Sequence, residues 1–157
     1  EWAGDVRFVA YGLRPQAAAE MQTPAGWRFG DQVELLGYSL GRGALAPGDI
    51  LPVSLFWRAG TPLQRRYKVF LHLLAEDGRL VAQRDAEPGG GLAPTTGWRP
   101  GETVTDRHGV LLPAGLPAGR YRLLLGLYPL EDPAARLPLA GGGAAAELGW
   151  VEVEGGP

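Results

Sequence analysis

The stretch Lys68-Val69-Phe70-Leu71-His72-Leu73-Leu74 opens the part of the sequence that decides the fold, residues 68–106. This run is apolar at nearly every position, which predicts a strand buried on both faces and therefore central in its sheet. Glu76-Asp77-Gly78-Arg79 follows as a hairpin turn and leads into a second strand, residues 80–84. A long loop rich in glycine and proline then reaches a third strand within residues 102–112.

Short segments with apolar residues at alternate positions recur on both sides of this stretch. The strands predicted there are residues 5–11, 32–40, 50–58, 120–128, 148–153 and a short edge strand at 136–139. Pro-Gly turns separate them, and no long helical pattern interrupts them. The sequence therefore predicts an all-β fold, a two-layer antiparallel β-sandwich of immunoglobulin-like or jelly-roll-like type with about eight or nine short strands.

Alternation also predicts which side chains face the core. In residues 32–40 it places Val33 and Leu35 on the face opposite Tyr38. Pro52 has no amide hydrogen, so it predicts a sheet edge or the start of a strand. The inward sets predicted for residues 50–58 and 120–128 are Leu51, Val53, Leu55 and Trp57, and Tyr121, Leu123, Leu125 and Leu127.

The length of 157 residues suits a single domain. Within it, residues 1–26 are predicted to be an N-terminal strand plus a linker bracketed by Pro15 and Pro24, and residues 27–154 the body of the sandwich. The first residue is Glu1 rather than methionine, so we expect a processed chain or an excised piece, in which any signal or membrane segment could have been left out.

Charge and cysteine content exclude several classes of function. The formal net charge is −2, which provides no basic field for phosphates, so nucleic acid is not an expected partner. The chain contains no cysteine, which excludes thiol catalysis and disulfides. No apolar run approaches the ~20 residues that span a bilayer, so these residues are not expected to insert into a membrane.

Candidate ligand-binding residues cluster in and beside the long loop. The loop has to return its ends to neighbouring strands, which could bring these side chains together. The candidates are His72, Asp85, Trp98 and Asp106. For His72, on an apolar strand face, the simpler interpretation is a neutral histidine held by one hydrogen bond, and the sharper one is a metal ligand or general base.

Asp85 and Asp106 allow two interpretations. Carboxylates beside a glycine-rich loop are ligands that Ca²⁺ would use, although the spacing Asp-x-Asp-x-Asp is missing. The structural alternative is that both accept hydrogen bonds from loop amides and hold the loop in place. No cofactor is predicted, and no metal beyond this calcium candidate.

Exposed tryptophans would suit a glycan, because flat aromatic rings can stack on sugar rings. Trp57 and Trp150 lie within strand patterns and are predicted to be core residues. Trp98 lies in the long loop and is the best candidate for exposure, with a loop anchor folded back into the core as its alternative.

No catalytic motif is present: the sequence has no nucleophile elbow, no phosphate-binding loop and no His/Cys metal spacing. A hydrolase that uses Asp85 or Asp106 as one of a pair of carboxylates is the enzymatic alternative. Finding those side chains buried and bonded to loop amides would dismiss it.

Turn and core motifs across about residues 27–139 resemble a known family. The motifs are Phe29-Gly30-Asp31, Leu36-Gly37-Tyr38, Pro47-Gly48-Asp49 with Trp57, Val69-Phe70-Leu71-His72-Leu73, Asp85-x-x-Pro88, Pro94-Thr95-x-x-Trp98-x-Pro100-Gly101-Glu102 with Asp106, Leu116-Pro117-x-Gly119-x-Tyr121 and Gly126-Leu127-Tyr128. They resemble the extracytoplasmic β-sandwich tail that follows the multi-pass region of bacterial membrane proteins of the glycosyltransferase 39-like (mannosyltransferase-related) group. The chain departs from that pattern after Tyr128, where Glu131-Asp132-Pro133-Ala134 lacks the expected glycine.

The resemblance carries over no catalytic residues and implies a membrane domain as the natural neighbour. The leading expectation is a non-catalytic accessory domain on the outer face of a bacterial cytoplasmic membrane. It would present loops to a glycan, a lipid-linked sugar or a partner such as its own membrane domain or an envelope protein. The alternative is a purely structural or protein-interaction module, which an exposed apolar patch near Leu92 and Trp98 would favour.

Overall fold

A computed structural model describes residues 21–41 and 43–155 and consists of two antiparallel sheets of four strands each. The strands are β1 (Thr23–Phe29), β2 (Val33–Leu40), β3 (Ile50–Ala59), β4 (Tyr67–Leu74), β5 (Leu80–Ala86), β6 (Val104–Leu111), β7 (Gly119–Pro129) and β8 (Ala146–Val153). Sheet A has the order β1-β2-β3-β6 and sheet B the order β5-β4-β7-β8. The predicted two-layer β-sandwich is confirmed, with eight strands in the described residues.

The core lies between the sheets and is built from the predicted inward sets. Val69, Leu71 and Leu73 of β4 are fully buried against it, and β4 lies between β5 and β7 as its apolar pattern predicted. The inward sets of β3 and β7 are also confirmed, since all eight of those side chains belong to the core cluster. The prediction that β4 is buried on both faces is wrong for its outer face, where Lys68, His72 and Leu74 are half-buried.

A β-bulge corrects the predicted faces of β2. Leu35 pairs with Trp57 and Gly37 with Phe56, so one extra residue, Leu36, interrupts the register. After the bulge the alternation is inverted, and Tyr38 joins Val33 and Leu35 in the core. Strict alternation had placed Tyr38 on the opposite face, and that prediction is wrong.

Pro52 lies near the start of β3, which is an inner strand of sheet A rather than an edge. Its carbonyl accepts a hydrogen bond from Gly41 just beyond the last residue of β2, so its missing N–H falls where that ladder ends. The proline ring lies against Gly41, where a Cβ would come within 2.6 Å of the ring. Of the two predictions made for Pro52, the strand start is confirmed and the edge is wrong.

Two segments differ from the prediction, the start of β1 and residues 136–139. β1 begins at Thr23, inside the predicted linker, and spans Pro24 through a break in register between Pro24 and Trp27. Residues 136–139 form only an isolated bridge, Phe29 to Leu139, rather than a strand. The strand predicted at residues 5–11 lies outside the described residues. Within the described part, no helix is long and apolar enough to cross a membrane.

Candidate functional site

His72 and Asp85 meet on the outer face of sheet B, as the sequence suggested. Asp85 lies beside Phe70 in the β4–β5 register, and its Oδ2 accepts a 2.7 Å hydrogen bond from the Tyr128 hydroxyl on β7. His72 Nε2 lies 3.7 Å from Asp85 Oδ1, which is too long for a hydrogen bond. That Oδ1 atom is buried and has no hydrogen-bond partner in the described residues. The three polar side chains therefore form one cluster with an unused acceptor.

Burial sets the charge state of this cluster. It lowers the pKa of His72, and the opposing attraction of Asp85 is partly offset by the Arg136 guanidinium. Burial together with the hydrogen bond to Asp85 raises the pKa of Tyr128 to about 12. At neutral pH the imidazole is therefore uncharged and the phenol remains a donor. Arg136 also lies 4.3 Å from the Phe70 ring centroid and covers this end of the face.

Asp106 lies elsewhere, on the inner face of β6, in a fully buried hydrogen-bond network. Its Oδ2 accepts a hydrogen bond from Trp57 Nε1 at 3.2 Å and lies 2.7 Å from His108 Nε2. Its Oδ1 accepts a 2.8 Å hydrogen bond from the backbone N–H of Gly89, in the glycine-rich loop. The structural interpretation, a carboxylate that holds the loop through an amide, is confirmed for Asp106 and is wrong for Asp85, whose partner is the Tyr128 hydroxyl.

The neighbours of His108 fix its tautomer. Arg84 of β5 donates a 3.0 Å hydrogen bond from Nε to His108 Nδ1. Because a guanidinium can only donate, Nδ1 is the acceptor and the proton lies on Nε2, facing Asp106. A neutral imidazole thus connects a guanidinium to a carboxylate and joins the edge strands of the two sheets. His108 Nδ1 accepts the hydrogen bond from Arg84, and Asp106 is buried, so neither side chain offers an exposed base or nucleophile. A hydrolase could therefore not use Asp106 as its catalytic carboxylate.

The calcium candidate does not assemble either. Asp85 lies on the outer face of sheet B and Asp106 in the interior, so the two carboxylates cannot bind one ion. Within the described ranges no group of three or more His, Asp or Glu side chains could hold a metal ion.

Trp98 is a loop anchor rather than an exposed platform. Its side chain is only 6% exposed, and its ring lies 6.3 Å from that of Trp57. Its Nε1 donates a hydrogen bond to the Ala93 carbonyl at 2.9 Å, inside the same loop. The prediction that Trp98 is exposed is wrong, and its alternative, the folded-back anchor, is what the structure has.

Thr95 is a second anchor of this loop, which the sequence did not single out. It is fully buried, and its hydroxyl accepts a hydrogen bond from the Tyr67 N–H and donates one to the Arg65 carbonyl.

Beside Trp98 an open cleft of about 320 Å³ is lined by Arg99 and other loop residues. Leu92 lines the same cleft and is 92% exposed.

Of the two tryptophans, it is Trp150 and not Trp98 whose side chain is exposed. It lies on β8 opposite Arg122 and is 42% exposed on the outer face of sheet B, so the prediction that it belongs to the core is wrong. Trp57 is fully buried, as predicted. The alternation in the sequence already indicated this exposure. Trp150 lies two residues before the charged Glu152 and therefore on the same strand face, whereas the buried Val151 lies on the opposite face.

The strand register lays out the rest of this face. One row crosses the sheet as His72, Leu124 and Glu147, and the next as Leu74, Arg122 and Trp150. From strand spacings, the two rows cover about 10 Å by 7 Å. Polar tips surround half-buried leucines there, so the area offers both hydrogen-bonding groups and apolar contact.

Comparisons with known proteins bear on the fold alone. No protein-family model matches the sequence, and no curated protein matches it. The crystal structure of the C-terminal domain of wzt aligns over 99% of this chain and 90% of that one, with a TM-score of 0.58 and 12% identity. This similarity supports the β-sandwich architecture. AvmM, whose structure is described as catalysing macrocyclization in alchivemycin A biosynthesis, aligns over 87% of this chain and 96% of that one at 14% identity. Its TM-score of 0.42 is too low to support an argument.

Proposed function

We propose that this chain is a non-catalytic glycan-recognition domain, with the outer face of sheet B as its binding surface. The observation that carries the proposal is Trp150, a large aromatic side chain that is 42% exposed on an otherwise ordered strand face. An exposed indole offers a flat apolar surface on which a sugar ring can stack. The part of the indole that stays in water is apolar surface, and a bound ligand would remove it from water with a gain in free energy.

The surroundings of Trp150 suit a polyhydroxylated ligand. Arg122 and Glu147 lie beside it and supply donors and acceptors for sugar hydroxyls. His72, one of the predicted ligand-binding residues, lies in the neighbouring row of the same face. Trp98, by contrast, is committed to the core, which removes the loop as the aromatic platform.

The non-catalytic part of the proposal is supported by how the candidate acids and bases are used. Asp106 and His108 are buried and hydrogen-bonded to each other, and His108 Nδ1 is occupied by Arg84. Asp85 is bonded to a Tyr128 hydroxyl whose pKa is raised to about 12 and which stays protonated. Asp106 and His108 therefore spend their hydrogen-bonding groups on other protein side chains, and the phenol beside Asp85 is not a nucleophile at neutral pH.

We further propose that the parent is a membrane protein of the glycosyltransferase 39-like group, with this domain on the outer face of a bacterial cytoplasmic membrane. The support is the turn and core motifs, such as Pro94-Thr95-x-x-Trp98 and Gly126-Leu127-Tyr128, spread over most of the chain. In that setting the glycan would be an envelope polysaccharide or a lipid-linked sugar.

A protein-interaction module is the second candidate, and Leu92 favours it. This leucine is 92% exposed at the tip of the glycine-rich loop, next to the cleft beside Trp98. A leucine so placed could contact the parent's own membrane domain or an envelope protein. Both roles could coexist, because Leu92 lies in the loop and Trp150 on the sheet face.

Calorimetric titration with envelope saccharides tests the glycan role. We expect Trp150→Ala to weaken binding by about tenfold, or ~1.4 kcal/mol, in a protein that circular dichroism shows to be still folded. Leu111→Ala is the matched control, since Leu111 is 65% exposed on sheet A and should not affect binding. Absence of binding to every saccharide tried would leave the interaction module as the better proposal.

A further inference from the structure

We propose that the saccharide bound at Trp150 carries a carboxylate, so that the ligand class is an acidic glycan containing uronate residues. This inference rests on the proposed glycan role and concerns the same face. Two arginines of β7, Arg120 and Arg122, carry it, because both place their guanidinium groups beside the exposed indole.

Arg120 is held in position but remains available. Its Cζ lies 4.5 Å from the centroid of the Trp150 ring, a cation–π contact. Glu76 lies 3.7 Å away, beyond hydrogen-bond length, and both side chains are exposed, while Glu152 lies opposite Arg120 in the β7–β8 register. The guanidinium is thus oriented by the ring while its N–H donors remain open to a ligand. A planar guanidinium matches a carboxylate with two parallel hydrogen bonds.

Arg122 provides the second donor. It follows Arg120 by two residues on the same strand face, about 7 Å away along β7. Its Cζ lies 6.0 Å from the Trp150 ring centroid, and its NH1 group donates a 3.3 Å hydrogen bond to Glu147. A sugar that contacts the part of the indole not covered by Arg120 would therefore lie beside both guanidinium groups.

Glu76 and Glu147 are acids with which a ligand carboxylate would compete for these two guanidinium groups. Exposed ion pairs of this kind contribute little to stability, so a ligand that makes two hydrogen bonds can displace them. The same argument predicts that binding is weakened by salt, because the attraction acts between groups open to solvent. It also predicts that removing one of these competing acids strengthens binding.

The test is calorimetric titration with a short oligogalacturonate and with its fully methyl-esterified form, which differs only in charge. We expect the acid to bind about tenfold more tightly than the ester. Arg120→Gln should remove this preference, whereas Glu76→Gln should strengthen binding of the acid a few-fold. Arg79→Gln, an exposed arginine in the β4–β5 turn, is the matched control and should change neither.

The outcomes separate this inference from the proposed function. Equal binding of acid and ester, lost in Trp150→Ala, would overturn the acidic class and leave a neutral glycan-binding face. No binding of either form would overturn the inference. Binding of vesicles of phosphatidylglycerol, with no oligogalacturonate binding, would also overturn it, because the arginines would then serve a lipid headgroup.

Discussion

A single buried carboxylate, that of Asp106, holds the long loop to the core. Three donors converge on it, from the loop amide of Gly89, from Trp57 and from His108. Each donor comes from a different part of the chain, so the carboxylate fixes their relative positions. The carboxylate can be buried here because both of its oxygens take part in hydrogen bonds. The Arg84 guanidinium lies on the far side of the His108 ring, which it contacts through Nδ1.

Replacing Asp106 with asparagine should therefore be strongly destabilising. The amide nitrogen of asparagine is a donor and would face another donor whichever way the side chain is turned. We expect a loss of about 3 kcal/mol in the free energy of unfolding, measured by urea denaturation. Glu154→Gln, at an exposed position, is the control. A loss below about 1 kcal/mol would mean that the network is worth no more than a single ordinary hydrogen bond.

At the scale of an element, β7 shows how one glycine lets an aromatic ring lie flat on a sheet. Gly126 pairs with Phe70 of β4, and the Phe70 ring covers it. A Cβ at this position would lie 2.1 Å from the ring and 2.8 Å from the Ala144 carbonyl. The ring in turn stacks with Tyr128 at a centroid distance of 6.2 Å. The Phe70 ring can therefore cover this end of the outer face of sheet B only because Gly126 has no side chain.

Gly126→Ala should force the Phe70 ring out of place. We expect a loss of about 1–3 kcal/mol in unfolding free energy, because the added methyl group overpacks a filled site. Gly97→Ala is the matched control, since a Cβ there meets no atom within 4 Å. If Phe70→Leu in the Gly126→Ala background restores no stability, the clash is not with the ring.

At the scale of the whole molecule, the inner strands of sheet B are paired on both sides and deeply buried. β4 and β7 pair with each other along their length, and each has a further strand on its other side. Leu71, Leu123 and Leu125 are fully buried there. β1, by contrast, is the edge strand of sheet A and pairs with β2 through an irregular register.

Native-state hydrogen exchange should reflect this arrangement. The amides of Leu71, Leu123 and Leu125 should exchange only through global unfolding, whereas those of β1 should exchange through local opening with a lower free energy. Exchange measured by NMR at increasing urea concentration distinguishes the two. Equal protection in β1 and β4 would show that the sheet edge is not the weak point.

The sequence predicts the architecture well because the inward sets of β3 and β7 are local patterns. Their side chains alternate without interruption, and no neighbour is needed to assign their faces. The candidate site was predicted less well. His72 does meet Asp85, but Asp106 pairs with His108 inside the sandwich. Which acid meets which histidine depends on the register of strands far apart in sequence.

By itself, then, the sequence determined the strands, the turns between them and the buried faces of the inner strands, since period-two alternation follows from the steric geometry of each strand. Only the tertiary structure decided that Leu36 bulges out of β2 and that Trp98 is buried. The physical reason is that one extra residue in a strand inverts every face after it, and a loop side chain is buried only if the facing sheet leaves room.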